Sequence, residues 1–147
     1  AWSVLTDYEN LCNFLPNIVE SRIVTSEGDR TIIEQIDHRR ILLSTFKSRV
    51  IVENQEINQT QINFRLIKGR LKTFYGFWKL DTFPEEDHFK NTLLISQKVT
   101  VDIDLGKLRP IFFDYFERSL ISTMNAVRAE IERRSSMYDC CTHETHE

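Results

Sequence analysis

The sequence contains little glycine, proline or cysteine, with 4, 3 and 3 residues of these types among 147. Such low glycine and proline contents exclude collagen-like and low-complexity chains. Three cysteines, Cys12 and the adjacent Cys140 and Cys141, do not form the even, spaced set of a disulfide-rich secreted domain, which favours a reducing compartment. No apolar run approaches the roughly 20 residues of a transmembrane helix, and the opening "AWSVLTDYEN" is unlike a signal peptide.

Neither sign of charge dominates, because 19 Lys and Arg oppose 22 Asp and Glu and leave a net charge of −3. Nonspecific nucleic-acid binding needs clustered cations, so nucleic acid is not an expected partner. The sequence has no P-loop, dinucleotide-binding glycine pattern or Ser/His/Asp order, and no cofactor is predicted. With 41% hydrophobic residues, the composition predicts a soluble protein inside the cell, in the cytoplasm or in an organelle such as a plastid or mitochondrion.

Most of the chain is predicted to form an antiparallel sheet. The first 15 residues carry apolar residues at steps of three and four, which indicates short helices that end at Pro16. From Val19 to Ile103, β-rich runs alternate with turn sequences, which predicts strands. The six runs are "IVESRIVTS", "TIIEQID", "LSTFKSRVIVENQE", "QINFRLI", "GRLKTFYGFWKL" and "TLLISQKVTVDID", with "FPEEDHFKN" as a loop before the last.

A long helix is predicted to close the fold. Pro110 suits the first turn of a helix, and the segment from Ile111 to Arg134 carries the widest amphipathic stripe in the chain. This stripe can be buried only by lying across the sheet, which gives an α+β class. The prediction is one domain over residues 1–134, followed by a disordered tail over residues 135–147.

The fifth run is unusually aromatic. Alternation places Phe74, Gly76 and Trp78 on one face of this strand, and Tyr75 and Phe77 on the other. A glycine inside a strand commonly marks a bend or the close approach of another group. A strongly bent sheet around one helix leaves a concavity, which is either a packed core or an apolar pocket.

Several stretches resemble START-like proteins of the polyketide cyclase/dehydrase and lipid-transport type, a superfamily that includes the coenzyme Q-binding proteins. They occur in the order and spacing of that family and together span about residues 2–134: "VLTDYENLCNFLPNIVESRIV", "GDRTIIEQI", "FKSRV", "GRLKTFYGFWKL", "VTVDI" and "NAVRAEIERR". The resemblance implies a helix-grip fold, in which a curved antiparallel sheet clasps a long C-terminal helix around an apolar cavity.

Two features depart from the family pattern. Family members usually begin with a strand before the first helix, whereas this chain starts within that helix, so the first family strand is expected to be missing. Cys12 also stands where the family commonly has proline.

The cavity that the resemblance implies would be lined by alternate residues of the strands and by one face of the helix. Most of these residues are apolar, which suits a lipid or another apolar small molecule, and Ser48 and Gln97 are the polar groups best placed to orient it. The predicted ligand-binding residues are Phe46, Ser48, Val50, Phe64, Phe74, Trp78, Ile95, Gln97, Val99, Phe116, Leu120 and Met124, with Val52, Ile62 and Leu66 beside them.

Other candidate sites are weaker. Asp37 and His38 are neighbours in a strand and point to opposite faces, so they do not form an acid–base pair. The alternation in "TIIEQI" does not decide whether Glu34 is an inward carboxylate with a raised pKa or a solvent-facing one, and the solvent-facing reading is favoured. The tail residues Cys140, Cys141, His143 and His146 have zinc-ligand chemistry without the usual spacing, and no metal site is predicted. Arg128, Arg133 and Arg134 with their acidic neighbours indicate a solvated helix face, with anionic headgroups as the alternative partner.

Three functions therefore remain open. The favoured one is a non-enzymatic module that binds and carries a hydrophobic small molecule or lipid. The second is an enzyme of the cyclase or dehydrase kind that uses the same pocket, although no catalytic residue is predicted. The third is a protein-interaction module whose core is filled.

Overall fold

The computed structural model describes residues 1–41, 44–84, 86 and 91–142. The chain begins with helix α1 (Trp2–Leu5), a 3₁₀ turn (Tyr8–Asn10) and helix α2 (Leu11–Phe14). Six strands follow: β1 (Ile18–Glu27), β2 (Arg30–Ile41), β3 (Ser44–Ile57), β4 (Gln61–Lys68), β5 (Thr73–Pro84) and β6 (Asn91–Asp102). A second 3₁₀ turn (Gly106–Leu108) leads into helix α3 (Arg109–Thr142).

The strands form one antiparallel sheet in the order β1-β2-β3-β4-β5-β6. Each strand pairs with its neighbours in sequence, as short turns such as the one at Gly28 require. The predicted six-stranded antiparallel sheet and long C-terminal helix are confirmed, and β5 begins at Thr73, after the connecting residues Gly69 and Arg70. Within the described residues, no helix combines the length and the apolar character needed to cross a bilayer.

Helix α3 continues to Thr142, eight residues beyond the predicted end at Arg134. The sequence after Pro110 contains neither glycine nor proline, so no residue in it forces the helix to end. Residues 135–142, which were expected to belong to a disordered tail, are therefore helical. The rest of that tail, residues 143–147, lies outside the described residues, as do residues 85 and 87–90 of the predicted loop.

The two ends of α3 lie at opposite ends of the sheet. We call the end where α3 begins the proximal end: there the Lys72 backbone N–H donates to the Asp102 carbonyl at 2.8 Å, and Arg109 donates to the Asp102 carboxylate at 3.1 Å. At the other, distal end, Arg134 of α3 bonds Asp7 at 2.8 Å. The N-terminal segment therefore runs from the distal end, where Asp7 bonds Arg134, to the start of β1, where the Asn17 carbonyl accepts from the His38 backbone N–H at 2.8 Å.

Two apolar clusters form the core. The first contains Tyr8, Leu11 and inward residues of β2, β3 and β4; its buried members are Tyr8, Leu11, Ile33, Val50, Val52 and Phe64. The second joins α1 to β4 and to the distal half of α3 through Val4, Leu5, Ile62 and Val127. The Tyr8 hydroxyl also donates to Glu56 at 2.9 Å, which fixes the N-terminal segment to β3.

Gly76 is required by a close approach inside the sheet. A Cβ at this position would lie 1.9 Å from the carbonyl oxygen of Lys98 and 2.9 Å from the Phe64 ring. The backbone of β6 therefore occupies the space that any side chain would need. This agrees with the prediction that the glycine marks a close approach, and glycine at such a point is a usual means of bending a sheet.

Candidate ligand site between the sheet and the long helix

The two halves of α3 pack differently. In the distal half, Val127 is only 2% exposed and Ile131 packs against the second core cluster. In the proximal half, Leu120 and Met124 continue the same helical stripe but pack against neither cluster and remain half-buried. Nearer the start of α3, Phe116 is buried, and the Arg39 guanidinium of β2 lies 5.8 Å from its ring. Leu120 and Met124 are therefore a less buried stretch between two packed parts of the helix.

The inner face of the sheet forms an apolar wall. Val50 and Phe64 are buried in the first cluster, which the N-terminal segment shares, and Phe74, Trp78 and Val99 pack against it while remaining half-buried. Trp78 also packs against the second cluster. The Phe64 and Phe74 rings lie 5.2 Å apart. Cross-strand pairing puts these residues on one face, because Phe64 pairs with Gly76, Gly76 with Val99, and Phe74 and Trp78 lie two residues on either side of Gly76.

The remaining predicted lining residues occupy different parts of this space. Ile95 lies towards the distal end, where it packs against the second cluster, and Phe116 is buried on α3 with its ring 5.7 Å from that of Phe112. Gln97 and Ser48 are half-buried, opposite Trp78 and Asp37 in the sheet. Phe46 pairs with Arg39, and its side chain lies outside the described residues.

An ion pair faces inward at the proximal end of this space, and the sequence reasoning missed it. Asp37 and Arg39 lie two residues apart on β2 and are 2.9 Å apart, with side chains only 14% and 21% exposed. The Arg39 guanidinium lies 5.8 Å from the centre of the Phe116 ring. Burial raises the pKa of the Asp37 carboxyl, and Arg39 opposes that shift. The i, i+2 spacing of "DHR" was the available signal, because alternate residues of a strand share a face.

The alternative sites resolve as follows. His38 is exposed on the opposite face from Asp37, as predicted. Glu34 was expected to face solvent, but it is only 7% exposed, because Arg22 and Arg49 cover its carboxyl on the outer face of the sheet. Their hydrogen bonds lower the pKa of this carboxyl. Of the proposed tail ligands, the side chains of Cys140 and Cys141 and the whole of His143 and His146 lie outside the described residues. The described part of the chain contains no cluster of metal-ligating residues.

The three basic residues near the end of α3 are all paired. Arg128 pairs with Glu132, and both Arg133 and Arg134 pair with Glu130. A polar cleft of about 390 Å³ lies beside this network, and its lining residues are Asp7, Asn10, Asn13, Phe14, Glu130, Arg133 and Arg134. Its charged groups neutralise one another, and its lining is mostly polar, so this cleft does not suit an apolar ligand.

Comparison with known proteins fits this architecture. The family model for polyketide cyclase / dehydrase and lipid transport matches residues 1–127. The chain belongs to this family. It matches no curated protein.

Solved structures share the fold at low identity. The Zhui aromatase/cyclase from a Streptomyces species superposes with a TM-score of 0.70 at 16% identity, over 91% of this chain and 86% of that one. The protein TTHA0849 from Thermus thermophilus gives 0.68 at 16% identity, over 90% and 85%. The di-domain ARO/CYC StfQ from the steffimycin biosynthetic pathway gives 0.67 at 13% identity, over 92% of this chain and 47% of its own. This member of the polyketide cyclase/dehydrase and lipid transport family therefore has the helix-grip fold of cyclase structures.

Proposed function

We propose that this protein binds a hydrophobic small molecule or lipid between the inner face of the sheet and the proximal half of α3, and that it carries or presents that molecule. The observation that carries the proposal is the looser packing of Leu120 and Met124 between two buried parts of the α3 stripe. Leu120 and Met124 face an apolar wall without packing into either core cluster, whereas Val127 is fully packed. A guest molecule would complete this packing.

The walls favour an apolar guest on energetic grounds. Removing apolar surface from water contributes about 25 cal/mol per Å², so a ligand that buries about 300 Å² gains about 7 kcal/mol before the entropic costs of binding. The half-buried Gln97 and Ser48 offer hydrogen bonds that orient the ligand. The space has two different ends, since the distal end is closed by α1 and α2 and the proximal end carries the Asp37–Arg39 pair.

Binding can be tested with a pair of adjacent helix residues. Leu120→Trp places a large ring in the proposed space, whereas Ile121→Trp places the same ring on the outer side of α3, where Ile121 is 60% exposed. The fluorescent apolar probe N-phenyl-1-naphthylamine is titrated into the wild type and both variants. Native mass spectrometry before and after solvent extraction identifies any apolar compound that co-purifies.

We expect the wild type and Ile121→Trp to bind the probe equally, and Leu120→Trp to bind it at least about tenfold more weakly, because a single large side chain occupies the volume the probe needs. Equal probe binding by all three proteins would place the probe elsewhere and overturn the proposal. A wild type that neither binds the probe nor carries an extractable compound would favour a filled core.

A second candidate function is an enzyme of the cyclase or dehydrase kind. The observation that favours it is the inward Asp37–Arg39 pair, because a carboxyl with a raised pKa beside a guanidinium can transfer a proton and stabilise a developing oxyanion. Two of the structural relatives are described as an aromatase/cyclase and an ARO/CYC protein. A linear poly-β-ketone is therefore the substrate class to test, with the cyclised product followed by mass spectrometry and NMR.

Asp37→Asn separates the two functions. For an enzyme, the variant loses product formation while keeping probe binding and its fold. For a carrier, wild type and variant alike form no product above the uncatalysed rate, and the variant still binds the probe.

A further inference from the structure

An exposed apolar patch borders the proximal end of the proposed ligand space. Leu105, Leu108 and Ile111 lie in the turn before α3 and in its first turn, and they are 36%, 54% and 42% exposed. We call these three residues the proximal patch. Several neighbouring large side chains of this kind, exposed together, indicate a surface that contacts something other than water.

Unpaired cations surround this patch. Most arginines of the described chain are held in ion pairs, but six described cationic side chains form none, and five of these lie at the proximal end. Those five are Lys47 on the arm of β3 that extends beyond β4, Lys68 at the end of β4, Arg70 and Lys72 in the connection from β4 to β5, and Lys107 in the turn before α3; the sixth is Lys98. The charge of Lys72 also acts on Asp102, which itself pairs with Arg109.

The distal end offers a contrast within the same molecule. Phe83, Leu93 and Leu94 of the β5–β6 hairpin are also exposed, by 40 to 51%. The sequence that connects these two strands, "EEDHFK", is predominantly acidic. Asp104, next to Leu105, is an exposed carboxylate without an ion pair among the described residues, so the five free cations still leave a local excess of positive charge on a chain whose net charge is −3.

We propose that the proximal end docks onto an anionic lipid bilayer, with the proximal patch entering the interface and the five unpaired cations facing the headgroups. An apolar ligand could then pass between the bilayer and the space beneath α3 without crossing water. This inference rests on the proposed function for its purpose, but the docking can be measured separately. Arg39 and Phe116, which meet at this end, would lie beside the route of the ligand.

The size of each contribution can be stated as a fold-change. A cation near an anionic surface strengthens partitioning about fivefold, and each methylene buried in the interface strengthens it about fourfold. Removing two cations should therefore weaken binding about 25-fold. Raising the salt from about 0.1 M to 1 M shortens the Debye length from about 10 Å to 3 Å, so binding should also fall with salt.

The experiment measures co-sedimentation of the full chain with vesicles of phosphatidylcholine alone and of phosphatidylcholine mixed with phosphatidylserine. The test variants are Leu108→Glu and the double variant Arg70→Gln with Lys107→Gln. The matched control is Leu94→Glu, which makes the same change at a distal residue that is 49% exposed. Probe binding with N-phenyl-1-naphthylamine in solution is measured on every variant.

We expect the wild type and Leu94→Glu to sediment with the mixed vesicles only, and both proximal variants to lose most of this binding while still binding the probe. If the wild-type protein binds the probe but does not sediment with mixed vesicles, the docking proposal is wrong and the proposed function is unaffected. Loss of vesicle binding in Leu94→Glu alone would place the membrane contact at the distal end and contradict the proposal. A proximal patch that instead pairs two copies of the chain, seen as a dimer that Leu108→Glu dissociates, would also overturn it.

Discussion

Replacing Gly76 by alanine tests the close approach that bends the sheet. The new Cβ would lie 1.9 Å from the Lys98 carbonyl oxygen, whereas a carbon and a carbonyl oxygen normally stay about 3.3 Å apart. The backbone of β6 must therefore move by more than about 1 Å, and the Phe64 ring must move as well. Overpacking of this kind costs about 1–3 kcal/mol, and each hydrogen bond broken between β5 and β6 adds about 1 kcal/mol.

The expected loss for Gly76→Ala is about 3–5 kcal/mol in the free energy of unfolding, measured by urea denaturation. This corresponds to a fall in Tm of about 10 °C for a chain of this size. Gly28→Ala is the control, because Gly28 has a φ of +60° but no atom within 4 Å of the added Cβ, so only about 1 kcal/mol of backbone strain is expected. A Gly76→Ala protein within about 0.5 kcal/mol of the wild type would refute the reasoning.

Further predictions concern the packing and charges of α3. Ile62 is 2% exposed, so Ile62→Ala should lower the free energy of unfolding, measured by urea denaturation, by about 3 kcal/mol, whereas Met124→Ala should lower it by about 1 kcal/mol or less. Equal losses would show that both sites are packed alike. Glu130 accepts hydrogen bonds from Arg133 and Arg134, which lower the pKa of its carboxyl to about 2. The contribution of these bonds to the free energy of unfolding is complete above about pH 4.5 and is lost as the pH falls through 2. Glu130→Gln should therefore lower the urea midpoint at pH 6 and have a shrinking effect towards pH 2, and an effect independent of pH would contradict the assignment. Arg134→Ala should lower the free energy of unfolding by about 2 kcal/mol, because it releases the N-terminal helices from α3. Arg128→Ala is the control, because the ion pair of Arg128 is exposed. Equal losses in the two variants would count against this role of Arg134.

The sequence predicted the orientation of the apolar strand residues better than that of the Asp37–Arg39 pair. Alternation placed Phe74 and Trp78 on one face, and the pairing of Trp78 with Gln97 puts both on the same face. The orientation of Asp37 and Arg39 was not predicted, because the alternation in "TIIEQIDHRR" has the same form in either phase. Only the pairing of β2 with β3, in which Asp37 opposes Ser48, assigns a face to them.

The packing of the apolar stripe of α3 could not be predicted from the sequence either. Phe116, Leu120, Met124 and Val127 recur at steps of three and four, so the sequence predicts one uniform face. Val127 is packed by α1 and Phe116 is buried beside Arg39 of β2, whereas Leu120 and Met124 between them are half-buried. This is a tertiary property, and the local sequence of α3 does not contain it.

The most direct test of the central claim is an NMR measurement of contacts between bound N-phenyl-1-naphthylamine and the methyl groups of isotopically labelled protein. If the space beneath the proximal half of α3 receives the guest, nuclear Overhauser effects will join the probe to the methyls of Leu120, Met124, Val50 and Val99. Val127, which is already packed, should show none. Contacts confined to surface methyls such as Ile121, or no contacts at all, would contradict the account.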